Sequence, residues 1–218
     1  MDTLYAQKYV VHIYRLPGEP MPSTRPQLRV AVLVGSTREG RFAPVVTQWL
    51  RGRLSQRDDM ATDVVDLAET PLPTVMPAFG QPPAPGTEEA LALVSPRLAA
   101  ADAFVFVTPE YNHSFPASLK NAIDWHNEQW HAKPIAFVSY GGLSGGLRAV
   151  EQLRVVMAEL NATTIRNTVS FHNAYGRFGE DGAVDDPQAD TAAKALLDQL
   201  AWWGHALRDA RASAPYAA

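Results

Sequence analysis

The stretch that decides the fold is LRVAVLVGSTREGR, residues 28–41. Its first half, LRVAVLV, is a short and nearly continuous apolar run rich in β-branched residues, which is typical of a strand buried on both faces of a parallel sheet. Gly35 then permits a sharp turn. Because apolar residues recur with helical spacing from Val45 to Leu54, the polar segment in between is expected at a helix N-terminus, and such an end attracts anions.

The side chains of this loop are those of a phosphate site. Ser36 and Thr37 supply hydroxyls, and Arg38 and Arg41 supply guanidiniums that can bind phosphate oxygens bidentately. The loop lacks the lysine and spacing of a nucleoside-triphosphate loop, and it lacks the G-x-G-x-x-G dinucleotide pattern, so a monophosphate fits better. Taken alone, the loop could also be a polar turn whose hydroxyls cap the helix and whose arginines are solvated.

The composition favours one domain and excludes several functions. A chain of 218 residues with 46% hydrophobic residues can bury one substantial core. The net charge of -4, without a basic run, argues against nucleic acid as a partner. No long apolar run and no signal-peptide pattern is present, so we expect a cytoplasmic protein without a membrane partner. Because the chain has no cysteine, redox chemistry would need a bound cofactor.

The chain divides into an N-terminal extension, one domain and a short tail. Residues 1–27 are rich in tyrosine and then proline, and we interpret them as an arm or a disordered extension. Residues 28–211 form the predicted domain, and residues 212–218 form a C-terminal tail. Within the domain, strand patterns alternate with helix patterns, which indicates an open, parallel, doubly wound α/β sheet.

Five strands are predicted, and each is followed by a turn or a helix. They begin near Leu28, Ala61, Ala103, Ile135 and Thr163. A proline-rich connection over residues 71–86 is too irregular for regular structure. The last predicted helix covers Ala192 to Leu207. Ligands of such sheets bind at the carboxyl ends of the strands, and the polar and glycine-rich segments all follow strands.

Two further loops lie at the carboxyl ends of the third and fourth strands. The segment 109–125, PEYNHSFPASLKNAIDW, opens with a compact loop that presents backbone groups at fixed geometry, as the edge of a flat heteroaromatic ring requires. The alternative is a tight turn in which Tyr111 covers the core. The segment 139–146, SYGGLSGG, has two glycine pairs that allow close approach to a planar ligand, although a simple turn has the same composition.

Together the three loops resemble the NADPH-dependent FMN reductase family of flavoproteins, which includes quinone, azo-dye and chromate reductases. The resemblance extends from about Leu28 to Leu207, and segment 109–125 is its most specific part. It implies a flavodoxin-like fold, with an open five-stranded parallel sheet of order 2-1-3-4-5 and helices on both faces. It also implies FMN as cofactor and NADPH or NADH as co-substrate. The implied reaction passes a hydride from nicotinamide to FMN and then reduces a quinone, free flavin or other small acceptor by a ping-pong mechanism.

The resemblance also implies which residues hold the cofactor, although many members of the family have a serine where this chain has Arg41. No catalytic side chain is predicted, because the flavin itself transfers the hydride, and no metal site is predicted. The implied site residues are Ser36, Arg38 and Arg41 at the phosphate, Pro109, Glu110, Tyr111 and Asn112 beside the ring and ribityl chain, and Ser139, Gly141 and Gly142 along the other side.

Members of this family use the helix in segment 109–125, which follows the loop after the third strand, in a dimer interface, so we expect a homodimer or homotetramer. Trp125, His126 and Trp130 would then line the interface or the pocket, or they would pack inside their own subunit. Two other functions remain open. A flavodoxin-like electron carrier would bind FMN without using a nicotinamide, although a charge of -4 is mild for a carrier. A non-catalytic FMN-binding sensor would keep the fold without turnover.

Overall fold

The computed structural model describes residues 25–179, 182–184 and 186–217, in which five strands form one sheet. The strands are β1 (Leu28–Val34), β2 (Met60–Asp66), β3 (Ala103–Pro109), β4 (Pro134–Tyr140) and β5 (Thr163–Phe171). All neighbouring strands are parallel, and their order is β2-β1-β3-β4-β5. The predicted flavodoxin-like order is therefore confirmed, and the strand order reverses between β1 and β3, where ligands of such sheets bind.

Helices cover both faces of the sheet, as predicted. They are α1 (Ala43–Leu54), α2 (Thr87–Ala100), α3 (Ala117–Asp124), α4 (Leu147–Glu159) and α5 (Pro187–Ser213). One apolar layer lies between the sheet and the pair α1 and α5, and it includes Val30 and Val32. The other layer lies between the sheet and α2, α3 and α4, and it includes Ala31 and Leu33. Successive residues of β1 thus face opposite layers, as the strand period of two requires.

The last helix, α5, is longer than the predicted Ala192 to Leu207. It begins at Pro187, because the Asp186 carboxylate accepts hydrogen bonds from the N–H groups of the first turn, and proline suits that turn. It continues to Ser213. The prediction was too short because it rested on apolar periodicity, which marks only the part of a helix that packs on a core.

Three backbone groups of the edge strand β5 are bonded by side chains of the neighbouring helices, in the stretch where its pairing with β4 is irregular. Arg154 of α4 donates to the Ile165 carbonyl oxygen at 2.7 Å and to the Arg166 carbonyl oxygen at 3.1 Å. The Gln199 side chain of α5 accepts a hydrogen bond from the Asn167 N–H at 2.8 Å. These backbone groups are therefore satisfied without a further strand.

Two predictions about the irregular parts of the chain have different outcomes. The connection over residues 71–86 is irregular, as expected, with turns but no strand or helix before α2 begins at its end. The predicted extension falls mostly on residues 1–24, which lie outside the described residues, so the domain boundaries remain predictions. Within the described ranges, no helix has the length and apolar character needed to cross a membrane.

Candidate functional site

The loop after β1, residues 35–41, is held in place by neighbouring elements. The Gly35 N–H donates to the Val107 carbonyl oxygen at 2.9 Å, and the Ser118 hydroxyl donates to the Gly35 carbonyl oxygen at 2.6 Å. A Cβ atom at Gly35 would lie 3.2 Å from Cβ of Leu119. A glycine at this position therefore lets the loop pack closely on α3.

The predicted phosphate ligands Ser36 and Arg38 have contrasting surroundings. Ser36 is buried, and its hydroxyl lies 2.7 Å from the Tyr111 hydroxyl. Thr37 and Arg38 are exposed, and within the described part of the chain the Arg38 guanidinium has no hydrogen bond or ion pair. The helix-capping alternative is not observed, because the N-cap residue of α1 is Phe42 and makes no side-chain capping bond. The Ser36 hydroxyl instead joins two loops of the site.

Arg41 has partners that the sequence analysis did not identify. Its Nη1 donates to Oδ1 of Asp66 at 2.5 Å and to the Ser36 carbonyl oxygen at 3.1 Å. The hydrogen bond to Asp66 raises the pKa of Arg41 against the opposing effect of burial, so the guanidinium stays charged. Asp66 could have been found from sequence, because it ends β2 and lies beside Val34 at the end of β1.

The loop after β3 forms a tight two-residue turn. The N–H and carbonyl groups of Tyr111 and Ser114 bond each other at 2.8 and 3.0 Å, while Asn112 and His113 between them have φ of 50° and 69°. Such turns need two left-handed residues. Gln152 of α4 donates to the His113 carbonyl oxygen at 2.7 Å and accepts from the Ser114 hydroxyl at 2.6 Å. The turn therefore has the fixed geometry expected of a ring-binding edge.

Glu110 connects the loop after β3 with the loop after β4. Its carboxylate accepts hydrogen bonds from the Ser144 hydroxyl at 2.5 Å and from the Arg148 guanidinium at 2.9 Å. Burial alone would raise the pKa of Glu110, but the hydrogen bonds from Ser144 and Arg148 outweigh it and lower the pKa. The Glu110 side chain, expected beside the cofactor, is thus engaged in holding two loops together.

The two glycine pairs of the loop after β4 differ in their surroundings. A Cβ atom at Gly142 would meet nothing within 4 Å. At Gly146, where φ is 89°, a Cβ atom would lie 2.6 Å from Cβ of Ser139, and at Gly145 it would lie 2.7 Å from Oγ of Ser170. Gly145 and Gly146 are therefore required by packing, whereas Gly142 borders open space.

Ser139 and Tyr140 end β4 beneath this loop. The buried Ser139 hydroxyl donates to the Gly145 carbonyl oxygen at 2.8 Å, so it supports the loop from inside. The sequence analysis missed Tyr140, whose buried hydroxyl oxygen has no hydrogen-bond partner among the described residues. Burial raises the pKa of Tyr140, as does the nearby Tyr111, while the Ser36 hydroxyl acts in the opposite direction. The Tyr140 hydroxyl therefore stays protonated and is able to donate.

The aromatic residues that follow α3 pack mainly within their own subunit. Trp130 is fully buried, and His126 is nearly so. The His126 Nδ1–H donates to the Ala122 carbonyl oxygen at 2.7 Å, which leaves Nε2 to accept from the Ser95 hydroxyl at 2.9 Å. Across the described ranges, no three histidine, aspartate or glutamate side chains come together as a metal site.

The predicted site residues gather at the carboxyl edge of three neighbouring strands. The loop after β1 contributes the exposed Arg38, the exposed Thr37 hydroxyl and the buried Ser36 hydroxyl, and the loops after β3 and β4 contribute a rigid turn and an open glycine. Cationic and hydroxyl donors suit a phosphate monoester, and exposed backbone at a fixed distance suits a flat ring. Fold and site together define a flavodoxin-like nucleotide-binding protein.

Comparison with known proteins gives the family. A profile of the NADPH-dependent FMN reductase family matches residues 28–176, and the chain belongs to this family. The resemblance inferred from the three loops is thus confirmed, together with the oxidoreductase class, FMN as cofactor and NAD(P)H as co-substrate.

Individual relatives agree with this assignment. A probable NADPH:quinone oxidoreductase of Oryza sativa is 31% identical, and the match covers 90% of this chain and 98% of the relative. An NAD(P)H-dependent FMN reductase of Schizosaccharomyces pombe is 37% identical over 54% of this chain, and the match spans 60% of that relative's length. Among solved structures, a flavoenzyme NAD(P)H:(acceptor) oxidoreductase from Paracoccus denitrificans has a TM-score of 0.60 at 25% identity, over 82% of this chain and 98% of the other.

The residues present fit FMN. A phosphate needs a cation and hydrogen-bond donors. The exposed Arg38 would supply the cation, and the Ser36 hydroxyl and the Tyr140 hydroxyl, which has no partner among the described residues, would supply donors. The ring needs a surface that can be approached closely, and Gly142 has open space on the side where a Cβ atom would stand.

Proposed function

We propose that this chain holds the FMN phosphate in the loop after β1 and the ring between the loops after β3 and β4, and that it reduces small acceptors such as quinones. The observation that carries the proposal is the 2.7 Å contact between the Ser36 and Tyr111 hydroxyls. This contact joins a loop with phosphate-binding side chains to a loop with a rigid, exposed turn. Arg38 lies exposed in the first loop and supplies the charge that a phosphate requires.

The side chains of the site act by holding and orienting. When bound, FMN accepts a hydride from a nicotinamide and passes the electrons on to an acceptor. Because the lowered pKa of Glu110 keeps its carboxylate ionised, Glu110 holds the loops together and is not a proton donor at neutral pH. If Gly142 lies against one side of the ring, nicotinamide and acceptor would use the other side in turn, in a ping-pong order.

The nature of the acceptor is proposed from the relatives. The rice protein is described as a probable NADPH:quinone oxidoreductase and the Paracoccus protein as an NAD(P)H:(acceptor) oxidoreductase. A flat acceptor stacks on an exposed ring face without needing dedicated polar groups. Quinones and free flavin both meet this condition, so they are the acceptors that we propose.

An anaerobic absorbance titration tests the activity. FMN-loaded protein is titrated with NADPH and with NADH, and quinone or free flavin is then added. We expect at least one nicotinamide to bleach the flavin and the acceptor to restore its colour. If neither nicotinamide bleaches the flavin, the chain is an electron carrier or a sensor. A ternary complex requirement in steady-state kinetics would contradict the ping-pong order.

Binding of FMN and of riboflavin tests the phosphate site. Arg38→Ala removes a charge-assisted contact worth about 1.5 to 3 kcal/mol, so FMN binding should weaken by roughly 10- to 100-fold. Riboflavin, which lacks the phosphate, should bind both proteins equally. Arg51→Ala, an exposed arginine in the last turn of α1, is the matched control. Unchanged FMN binding by Arg38→Ala would contradict the proposed site.

We further propose a homodimer or homotetramer that uses the connection after β2. This connection exposes Val75, Met76 and Phe79, of which Phe79 is fully exposed. The Trp125 indole N–H donates to the Pro73 carbonyl oxygen at 2.7 Å, so the exposed segment is attached to the helix that follows the ring-binding turn. Apolar clusters of this kind often mark a protein interface. A second copy there would lie close to the ring.

Light scattering at micromolar concentration tests this interface. The parent protein should be a dimer or larger, and Phe79→Ser combined with Met76→Ser should shift it towards the monomer. Val155→Ser is the control, because Val155 is similarly exposed but lies on α4. A monomeric parent protein would contradict the proposal. The cytoplasmic location expected from the sequence remains a prediction.

A further inference from the structure

The two arginines of the loop after β1 differ in what they contact. Arg41 donates from Nη1 to the Asp66 carboxylate at 2.5 Å and to the Ser36 carbonyl oxygen at 3.1 Å. The side chains of Arg41 and Asp66 are only 16% and 13% exposed. Arg38 is exposed, and its guanidinium has no bonded partner in the described ranges.

The Arg41–Asp66 pair connects two strand ends through the backbone of the loop. Asp66 is the last residue of β2, and the same Oδ1 that accepts from Arg41 also accepts the Ala68 N–H at 3.0 Å. The Arg41 guanidinium, which is bonded to Asp66, also donates to the Ser36 carbonyl oxygen. The backbone N–H of Arg41 donates to the Arg38 carbonyl oxygen at 3.1 Å. The loop is thus closed on itself and fixed to β2.

A direct phosphate contact by Arg41 would require a different arrangement. Its guanidinium would have to leave Asp66 and uncover a carboxylate that is largely shielded from water, which is unfavourable. It would also release the Ser36 carbonyl oxygen and the turn that depends on it. The exposed Arg38 can reach a phosphate without breaking any contact of the described residues.

We infer that Arg41 is a positioning residue, which together with Asp66 fixes the Ser36 backbone so that the hydroxyl and N–H groups of the loop face the phosphate, while Arg38 is the charged ligand. This inference rests on the proposed FMN site. It gives Arg41 a different role from the one that the resemblance implies, and it adds Asp66 to the residues that FMN binding would require.

The ratio of FMN affinity to riboflavin affinity tests the inference. The ratio is measured by flavin fluorescence titration of the full chain with Arg41→Ala, Asp66→Asn and both changes together. We expect each single change to lower the ratio by roughly tenfold, as the loss of one supporting contact implies, and the double change to lower it no further. If Arg41 and Asp66 only stabilised the fold, their substitution would lower thermal stability without changing the ratio of FMN affinity to riboflavin affinity.

Asp63→Asn is the matched control. Asp63 lies on the same strand as Asp66 and is also paired with an arginine, Arg97. It lies in the middle of β2, away from the strand end where Asp66 contacts the loop at residues 35–41. Its substitution should leave the ratio unchanged. Hydrogen exchange of the amides in residues 35–41, measured without FMN, gives a second readout and should quicken in both single variants but not in the control.

Each outcome bears on a different claim. If Asp66→Asn binds FMN as the parent does while Arg41→Ala does not, Arg41 is a direct ligand and the inference is overturned. The inference would also be overturned if the double variant lowered the affinity ratio by the product of the two single effects. It would be overturned as well if no variant changed the ratio. Failure of the parent protein or Arg38→Ala to behave as stated above would instead refute the proposed phosphate site, so the two failures are distinguishable.

Discussion

The loops after β1 and β4 lie at the same edge of the sheet but keep their shapes in different ways. The loop at residues 35–41 is held by side chains that come from other elements, namely Ser118 and the Arg41–Asp66 pair. The loop at residues 141–146 also has side-chain partners, Ser139 and Glu110, but it depends in addition on backbone conformations that only glycine adopts without strain, at Gly145 and Gly146. The first loop should therefore weaken stepwise when it is mutated, whereas the second should tolerate no side chain at Gly145 or Gly146.

The largest effect is expected for Gly146→Ala. The new Cβ atom would lie 2.6 Å from Cβ of Ser139 at a φ of 89°, so left-handed strain and overpacking add to about 3 kcal/mol. Urea unfolding measures the loss in the free energy of unfolding. The control is Gly142→Ala, where a Cβ atom would meet nothing within 4 Å, and it should change stability by less than about 0.5 kcal/mol. Equal stabilities of the two variants would remove the distinction between the loops.

Glu110→Gln should come next, because Glu110 connects the rigid glycine loop to the turn after β3. Loss of the charge weakens the bonds from Ser144 and Arg148, which should cost about 2 kcal/mol at pH 7. The comparison variant is Glu151→Gln, whose carboxylate is paired with Arg154 but 76% exposed, so little change is expected.

The pH dependence of the Glu110 contribution has a definite sign. Because its pKa is lowered in the folded protein, the stabilisation is present above the ordinary carboxyl pKa of about 4.3 and is lost as the pH falls through the folded value. The stability difference between the parent protein and Glu110→Gln should accordingly shrink below about pH 4. A difference that grows on acidification would contradict this role.

Ser118→Ala should have a smaller effect and test the stepwise behaviour of the first loop. It removes the 2.6 Å bond to the Gly35 carbonyl oxygen, which is worth about 1 kcal/mol. Ser213→Ala removes a similar bond at the exposed end of α5 and should change stability little. A loss as large as that of Gly146→Ala would show that the first loop is as intolerant as the second.

The smallest effect is expected for His126→Gln, which concerns the support of the first loop through α3. Burial lowers the pKa of His126, so the folded protein binds its proton less readily than the unfolded chain does. Stability is therefore lost as the pH falls below the ordinary value of about 6.5, by no more than about 1.4 kcal/mol per pH unit. His126→Gln should flatten the unfolding profile between pH 7 and pH 5.

The fold, and the gathering of the polar loops at one edge of the sheet, could be predicted from sequence. Buried strands such as LRVAVLV and the alternation with helices specify a parallel sheet, and the polar loops all follow strands. The roles of single side chains could not be predicted in the same way. Arg41 and Asp66 are 25 residues apart and Glu110 and Arg148 are 38 apart, so their pairing depends on how the strands align in three dimensions.

The glycines show a second limit of sequence reasoning. Gly142 and Gly146 look alike in SYGGLSGG, because both are consistent with a turn and with close approach of a ligand. Their difference depends on the atoms that surround them, since Ser139 lies against Gly146 while Gly142 borders open space. Tyr140 was missed for the same reason, because a tyrosine at the end of a buried strand usually packs in the core.

The side chains that cover the edge of β5 have a consequence for how copies of this protein can assemble. Arg154 occupies the Ile165 and Arg166 carbonyl oxygens, so a foreign strand cannot pair with these two acceptors without displacing it. Fibril growth and strand-swapped oligomers both start from such free edges. Strand pairing at these two residues is thereby disfavoured, so contacts between copies on this side would depend on side chains rather than on the backbone.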